Sequence, residues 1–316
     1  MTDLREKQVR QCFDASDELR ISRKYYRQMV LTFLENLLTM DTGVGDATQN
    51  PPKFYNRKCT AIIKAKSPTI VAGLAEIRAF LHHKDLKSES EFQDGDRADA
   101  GEIVLTIKGR AGGQILNLER IILNVFQRLS GIATVTAEYS QAIAGLPCFV
   151  AATRKTLWGA IDKSALQYGG GLTHRLGLSD AAMLKENHLA ILKKSGDPQT
   201  LATAIKAIAA VEPPLRFFEV EVTNDDEFRQ VVEAYKNLTT DIYRVIMFDH
   251  FTPENIKRLI EATKSEGAYQ QILFEASGNI TLETIRGYAS SGVDVVSVGA
   301  LTHSVKSADY SLLIVS

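Results

Sequence analysis

The sequence predicts an α/β protein: a C-terminal parallel α/β barrel of about six strands, preceded by an N-terminal α+β open-faced sandwich domain. Three observations carry that expectation. Six short apolar runs occupy the second half of the 316-residue chain: CFVAAT (148–153), AAML (181–184), RFFEVEV (216–222), RVIMFD (244–249), QILFEAS (271–277) and VDVVSVG (293–299). Helix-like stretches separate them, and strand starts recur every ~20–35 residues, the length of a βα unit. Each run also ends on residues suited to anions or metals: Arg154 and Lys155, Lys185, Glu221, Asp249, Ser277 and Gly278, then Gly299. In a parallel barrel those ends meet at one mouth, where active sites lie. An open doubly wound sheet shares the alternation, but its usual glycine fingerprint after the first strand is missing.

The N-terminal domain is expected over residues 1–130, with residues 305–316 able to return to it, and the barrel over 131–304. Residues 25–40 place Met29, Leu31, Phe33, Leu34, Leu37 and Leu38 largely along one helical face. The polar, Gly- and Pro-containing stretch 41–58 reads as loop, and its part from Gln49 to Lys58 suggests no function. CTAIIKAKSPTIVAG (59–73) reads as strand, turn and strand, and AGLAEIRAFLHH (72–83) as a helix. Turn signals at Asp94-Gly95 and Ala100-Gly101 precede the strand EIVLTI. Residues 114–129, QILNLERIILNVFQRL, form a second amphipathic helix. In the second half, Asn224 to Glu227 resembles a capping box before Phe228, Val231, Val232 and Tyr235. Thr252-Pro253-Glu254 opens another helix, and Thr281 precedes Leu282, Ile285 and Tyr288.

Composition excludes more than it identifies. With 37 basic and 38 acidic residues the formal charge is −1, so no global field favours nucleic acid or an anionic membrane. Anion binding must come from local placement of cations. Cys12, Cys59 and Cys148 lack metal-ligand spacing and read as reduced thiols. The N-terminus, MTDLREKQVRQ, lacks a signal-peptide core, and no apolar run approaches the roughly 20 residues of a membrane span. A cytoplasmic protein is expected.

The densest chemistry lies in residues 152–188, where Arg154, Lys155, His174, Arg175 and Lys185 supply five potential cations. Taken singly, each reads equally well as a surface charge. As a cluster at strand ends they need a counter-ion, which points to a substrate with more than one negative charge. Gly169-Gly170-Gly171 offers a backbone able to turn sharply and approach a ligand. Glu219 and Glu221 alternate with Val220 and Val222, so both acids face the barrel interior, Glu221 nearer the mouth and Glu219 behind it. His82-His83 suits a solvated helix C-terminus. His188 and His250 follow strand ends and stay open between supporting and structural roles. No Ser–His or Cys–His nucleophile signature is present, so no covalent enzyme intermediate is expected.

TRKT (153–156), GGGLTHR (169–175), LKENH (184–188), EVEV (219–222), FDHF (248–251), EASG (275–278) and VGALTHS (298–304) resemble the motifs of the quinolinate phosphoribosyltransferase family. GDAT (45–48), DGDRADAGEIV (94–104) and LERIILNVFQRLSGIAT (118–134) extend the likeness to the first half, so it covers about residue 37 onward. The resemblance implies Mg²⁺-dependent phosphoribosyl transfer from phosphoribosyl pyrophosphate to quinolinate. Decarboxylation then gives nicotinate mononucleotide, pyrophosphate and CO₂ in NAD biosynthesis.

By resemblance, Arg120, Arg154, His174, Arg175 and Lys185 line the quinolinate pocket, with Thr153 beside them. Lys155 and Lys185 lie between the two substrates, and Glu221 and Asp249 hold Mg²⁺ and the ribose. These last four are the implied catalytic set. Ser277, Gly278 and Asn279, with Val298, Gly299 and Ala300, offer backbone N–H groups to the 5′-phosphate. His303 either helps there or serves a helix terminus. The resemblance further implies a homodimer, or an assembly of dimers, in which Arg120 completes a partner's pocket. Two departures stand out: Ala152 replaces an acidic residue, and Leu157-Trp158-Gly159 replaces a Thr-Pro-Gly turn. The alternatives are a related phosphoribosyltransferase on another aromatic acid, including a molybdenum-locus homologue, or a catalytically inactive binding or regulatory relative.

Overall fold

The computed structural model describes residues 2–49, 57–194, 200–211, 215–265 and 267–315, so most of the 49–58 segment lies outside the described residues. Helices α1 (Asp3–Phe13) and α2 (Lys24–Thr42) come first, then β1 (Lys58–Ala65), β2 (Thr69–Ile70), α3 (Leu74–His83), β3 (Lys87–Glu89), β4 (Arg97–Ala98), β5 (Ile103–Arg110) and α4 (Asn117–Ala142). The chain continues through β6 (Phe149–Ala151), α5 (Ala160–Ser164), β7 (Ala182–Leu184), α6 (Glu186–Lys194), α7 (Thr200–Ala209) and β8 (Phe217–Val222). It ends with α8 (Asp225–Lys236), β9 (Tyr243–Asp249), α9 (Pro253–Ser265), β10 (Ile272–Ser277), α10 (Ile285–Ala289), β11 (Val295–Ser297), α11 (Ala300–His303) and β12 (Tyr310–Ile314). Two compact units result. One comprises residues 1–15, 138–156 and 171–300, the other 16–137, 157–170 and 301–316.

The first unit is the α/β barrel. Its six strands follow the order β6-β11-β10-β9-β8-β7, every pair parallel. Between β6 and β7 the described residues show only one parallel bridge, Ala151 to Leu172. All six residues of β8, FFEVEV, are buried, as in a strand covered on both faces, and the two acids are carried inside with the rest. The predicted cap of α8 forms: Asn224 accepts from the Glu227 N–H at 3.0 Å, and the Glu227 carboxylate accepts from the Thr223 N–H at 2.9 Å. The helix expected after Thr281 shrinks to α10, because of the three apolar positions only Ile285 is buried.

The two units differ from a single cut at residue 130 at residues 1–15, 131–137, 157–170 and 301–304. Residues 1–15 belong to the barrel unit because α1 puts Val9, Cys12 and Phe13 into one core with Phe217, Val245, Leu273 and Val295, residues near the strand starts. The helix thereby plugs the N-terminal end of the barrel. Arg5 fixes it there with a buried fork to Asp294, 2.6 and 2.7 Å. The apolar positions of α1 are too few and too mixed with charge to have suggested a buried helix. Residues 157–170 belong to the second unit because Asp162 there accepts a bidentate pair from Arg128 at 2.6 and 2.7 Å. Asp162 also accepts the N–H groups of Leu157 and Trp158, and the Trp158 ring packs against Phe33 and Arg128. The unusual Leu157-Trp158-Gly159 turn is thus a packed structural element.

The second unit carries an antiparallel sheet in the order β12-β1-β5-β3, with β12 returning from the C-terminal tail to pair with β1. Gly169, the first residue of the glycine run, lies against α4. A Cβ there would meet Thr136 and the Ala137 backbone nitrogen at 2.6 and 2.7 Å, so the glycine serves close packing on α4. The three cysteines are free thiols. Among the described residues no helix is long and apolar enough to cross a membrane.

Candidate active site

The ends of all six barrel strands converge on one cavity of about 390 Å³. Thr153, Arg154 and Lys155 follow β6, Met183 and Lys185 come from β7 and its end, and Glu221 from β8. Met247, Asp249 and His250 come from β9 and its end, Glu275 and Ser277 from β10, Ser297 from β11, and His174 and Arg175 from the loop before β7. The plug of α1 occupies the opposite end of the strands, which leaves this mouth as the place where the barrel is concave.

The charges are arranged as opposed sets. Lys185 Nζ lies 2.6 Å from Glu221 Oε2, and Asp249 Oδ2 lies 2.8 Å from His250 Nδ1. Arg175 is buried, and that burial, together with the nearby Arg154 charge, lowers its pKa from the ordinary guanidinium value. Two cations that oppose one another in a cavity gain from an anion between them. Behind them, burial and the neighbouring Glu275 carboxylate push the Glu219 pKa well up. Burial alone would raise Glu275 as well, but its attraction to His174 and the hydrogen bond between them hold it below the usual carboxylate range.

Backbone strain gathers at this mouth. His174, His250 and Asn279 adopt positive φ values of 54°, 60° and 50°. Gly278, at φ 103°, faces the His250 backbone so closely that a Cβ would come within 2.8 Å of His250 N.

Nine of the expected site residues line the cavity: Thr153, Arg154, Lys155, His174, Arg175, Lys185, Glu221, Asp249 and Ser277. Gly278 and Asn279 follow β10 directly, while Gly299 and Ala300 lie beyond β11. Val298 needs a correction: its N–H donates to Ala151 O at 2.9 Å, extending the β-ladder, and cannot serve a phosphate. His303 and Arg120 lie in the other unit; His303 Nδ1 bonds Ser304 Oγ, and Arg120 is 56% exposed beside Glu119. The reading of the sequence missed Met183, Met247, Glu275 and Ser297. Period-two alternation would have found all four, since Met183 shares a strand face with Lys185, Met247 with Asp249, Glu275 with Ser277 and Ser297 with Gly299.

Glu221 and Asp249 are a donor set that suits a hard divalent cation: carboxylate oxygens on neighbouring strands, facing one cavity, with no thiolate near. Among the described residues, the group of three metal-ligand side chains in mutual reach is instead His174, Glu219 and Glu275. Its fully buried geometry is already closed by the hydrogen bond between His174 and Glu275 at 2.9 Å.

The fold and the cavity define an α/β barrel with a cavity lined by cations and carboxylates at the C-terminal ends of its strands. Residues 46–130 match the model of the quinolinate phosphoribosyl transferase N-terminal domain, and residues 132–313 that of the C-terminal domain. A Bacillus subtilis protein named probable nicotinate-nucleotide pyrophosphorylase (carboxylating) is 35% identical over 283 residues, 88% of this chain and 91% of that protein. Quinolinate phosphoribosyltransferase (decarboxylating) 2, mitochondrial, of Nicotiana glauca is 35% identical over 88% of this chain and 80% of its own. The solved nicotinate-nucleotide pyrophosphorylase of Francisella tularensis superposes with a TM-score of 0.78 at 30% identity, covering 91% of this chain and 96% of that one. The chain belongs to the quinolinate phosphoribosyltransferase family. It is accordingly an enzyme, a phosphoribosyltransferase whose relatives carry the carboxylating nicotinate-nucleotide pyrophosphorylase name.

Proposed function

We propose that the enzyme performs Mg²⁺-dependent transfer of the phosphoribosyl group from phosphoribosyl pyrophosphate to quinolinate, followed by decarboxylation, in the cytoplasm. The observation that carries this reading is the juxtaposition of four cations, Arg154, Lys155, Arg175 and Lys185, with two carboxylates, Glu221 and Asp249, around one cavity. Quinolinate presents two carboxylates on a planar ring, which guanidinium groups match bidentately. Arg154 and Arg175 hold them and orient the pyridine nitrogen toward the anomeric carbon. Lys155 and Lys185 face the departing pyrophosphate, and Glu221 stabilises the positive charge that builds on the ribose. Glu221 and Asp249 would hold Mg²⁺, which would supply charge neutralisation for the departing pyrophosphate. The ribosylated pyridinium then draws in the electrons of the breaking carbon–carboxyl bond, CO₂ leaves, and the electron pair left on the ring carbon takes up a proton from water. In a homodimer, Arg120 would complete the carboxylate grip from the partner.

Release of labelled CO₂ from quinolinate labelled in its 2-carboxyl group tests the reading. It is expected only with both the phosphoribosyl donor and Mg²⁺ present, and to stop in chelator. Release without the donor, or equal turnover of nicotinate, would sink it.

A further inference from the structure

His250 is the first residue beyond β9, and it is tied both to the end of β10 and to the carboxylate before it. Asp249 and Ser277 are register partners on the two parallel strands. The His250 N–H donates to Ser277 O at 3.0 Å, so the ladder runs one residue past both strand ends. A left-handed turn at His250, φ 60°, then brings its side chain against Gly278. A Cβ added to Gly278 would meet His250 N at 2.8 Å, Cγ at 2.9 Å and Cδ2 at 3.0 Å, so the imidazole occupies the space that a side chain at 278 would need. Nδ1 of the same ring stands 2.8 Å from Asp249 Oδ2. A carboxylate can only accept, so Nδ1 carries the proton in that bond.

Fold stability does not explain the arrangement. The His250 side chain is 59% exposed, and a contact so open to water contributes little. Yet His250, Gly278 and Asn279 all hold positive φ, of 60°, 103° and 50°, at these two strand ends. Backbone strain that burial does not offset gathers where a site needs a particular geometry. The Gly278 and Asn279 N–H groups meet no acceptor among the described residues, which leaves them open to an anion, while Asp249 and His250 line the cavity beside them.

We infer that His250 is a positioning residue that joins the Asp249 carboxylate to the 277–279 turn, so that the two strand ends take hold of a phosphorylated ribose as one piece. Its ring fixes the direction of Asp249 on one side and closes the turn on the other, and it acts only through these neighbours. That the ribose belongs to a phosphoribosyl donor rests on the function proposed above; the bracket itself does not.

Ribose 5-phosphate, titrated by calorimetry without metal, is the direct probe. His250→Gly keeps the left-handed backbone and removes the ring, and should weaken binding roughly tenfold or more, as loss of a hydrogen bond to a charged group implies. Asn tolerates the same backbone and offers an amide N–H to Asp249, so His250→Asn should stay within about threefold of the parent. The KM for phosphoribosyl pyrophosphate should follow the same order, with the KM for quinolinate within about twofold of the parent in both variants. A merely structural role would move both KM values together.

Parental ribose 5-phosphate affinity in a folded His250→Gly protein, equal losses in the Gly and Asn variants, or a matching rise in both KM values would each overturn the inference. So would a parent that does not bind ribose 5-phosphate. If the parent binds it but releases no CO₂ from quinolinate, the functional reading fails instead, and the calorimetric comparison still decides the bracket.

Discussion

Lys185 Nζ stands 2.6 Å from Glu221 Oε2, so one ion pair joins the end of β7 to β8 at the rim of the cavity. The lysine is 45% exposed and the carboxylate 10%. A pair so open to water contributes only about 0–1 kcal/mol to stability. Its value lies in holding a cation and an anion ready where a polyanionic substrate must arrive. Lys185→Met should therefore melt within a few degrees of the parent. Loss of one desolvated charge contact with substrate, about 2–5 kcal/mol, should lower kcat/KM by roughly 30-fold or more. Near-parental kcat/KM in a folded Lys185→Met protein would show that the pair is structural only.

Arg5 makes the opposite case. Its guanidinium forks onto Asp294 and also reaches the carbonyls of Tyr269 and Ile272, with both side chains nearly buried. Arg5→Met leaves a buried carboxylate without its partner, which typically costs about 3–5 kcal/mol. Urea unfolding should show that loss. A destabilisation below about 1 kcal/mol would mean that the α1 plug contributes little to the barrel.

Much of the barrel was legible because its physics is local. Parallel strands buried on both faces read as continuous apolar runs, and the residues after them mark the mouth by topology alone. Arg154, Lys155, Lys185, Glu221 and Asp249 could be placed that way, and all line the cavity. The plug helix α1 was not legible. Its Val9, Cys12 and Phe13 are buried only because distant strand starts lie against them, and a helix with Arg5 on its inner side looks solvated until Asp294 is known to face it. The role of Glu275 was hidden for a similar reason, since its hydrogen-bond partner is 101 residues away in sequence. The packing of Gly169 on α4 was not legible either, since the backbone it meets, at Ala133 and Ala137, lies more than 30 residues away in sequence.

Glu76 should give the stability of the second unit a pH dependence. It is fully buried, accepts from the Tyr26 hydroxyl at 2.8 Å, and leaves its other oxygen without a partner among the described residues. Burial first, and the Asp94 charge second, push its pKa from 4.5 to about 7. An acid with a raised pKa in the fold binds more protons folded than unfolded between those two values. Its contribution is therefore fully present below about pH 4.5 and is lost as pH rises through about 7. In Glu76→Gln, the fall in unfolding free energy between pH 5 and pH 8 should shrink by on the order of 3 kcal/mol. Parallel pH curves for parent and variant, from urea titrations at both pH values, would contradict the assignment.

Arg120 tests whether the site is shared between subunits. It sits near the start of α4, 56% exposed, and its side chain bonds the neighbouring Glu119 at 3.1 Å. A half-exposed arginine near the start of an otherwise well-buried helix is available for an anion beyond its own chain. On the proposed dimer, mixing inactive Arg120→Ala protein with inactive Lys155→Ala protein, under conditions that exchange subunits, gives two kinds of site. In a mixed dimer, one site receives both defects and the other receives neither, so up to about half of the mixed dimers' sites should be intact. Activity should rise with mixing to a level set by the fraction of mixed dimers counted by native mass spectrometry. If exchange is complete and activity stays at that of the separate variants, Arg120 acts within its own chain or not at all, and the shared-site reading fails while the barrel chemistry stands.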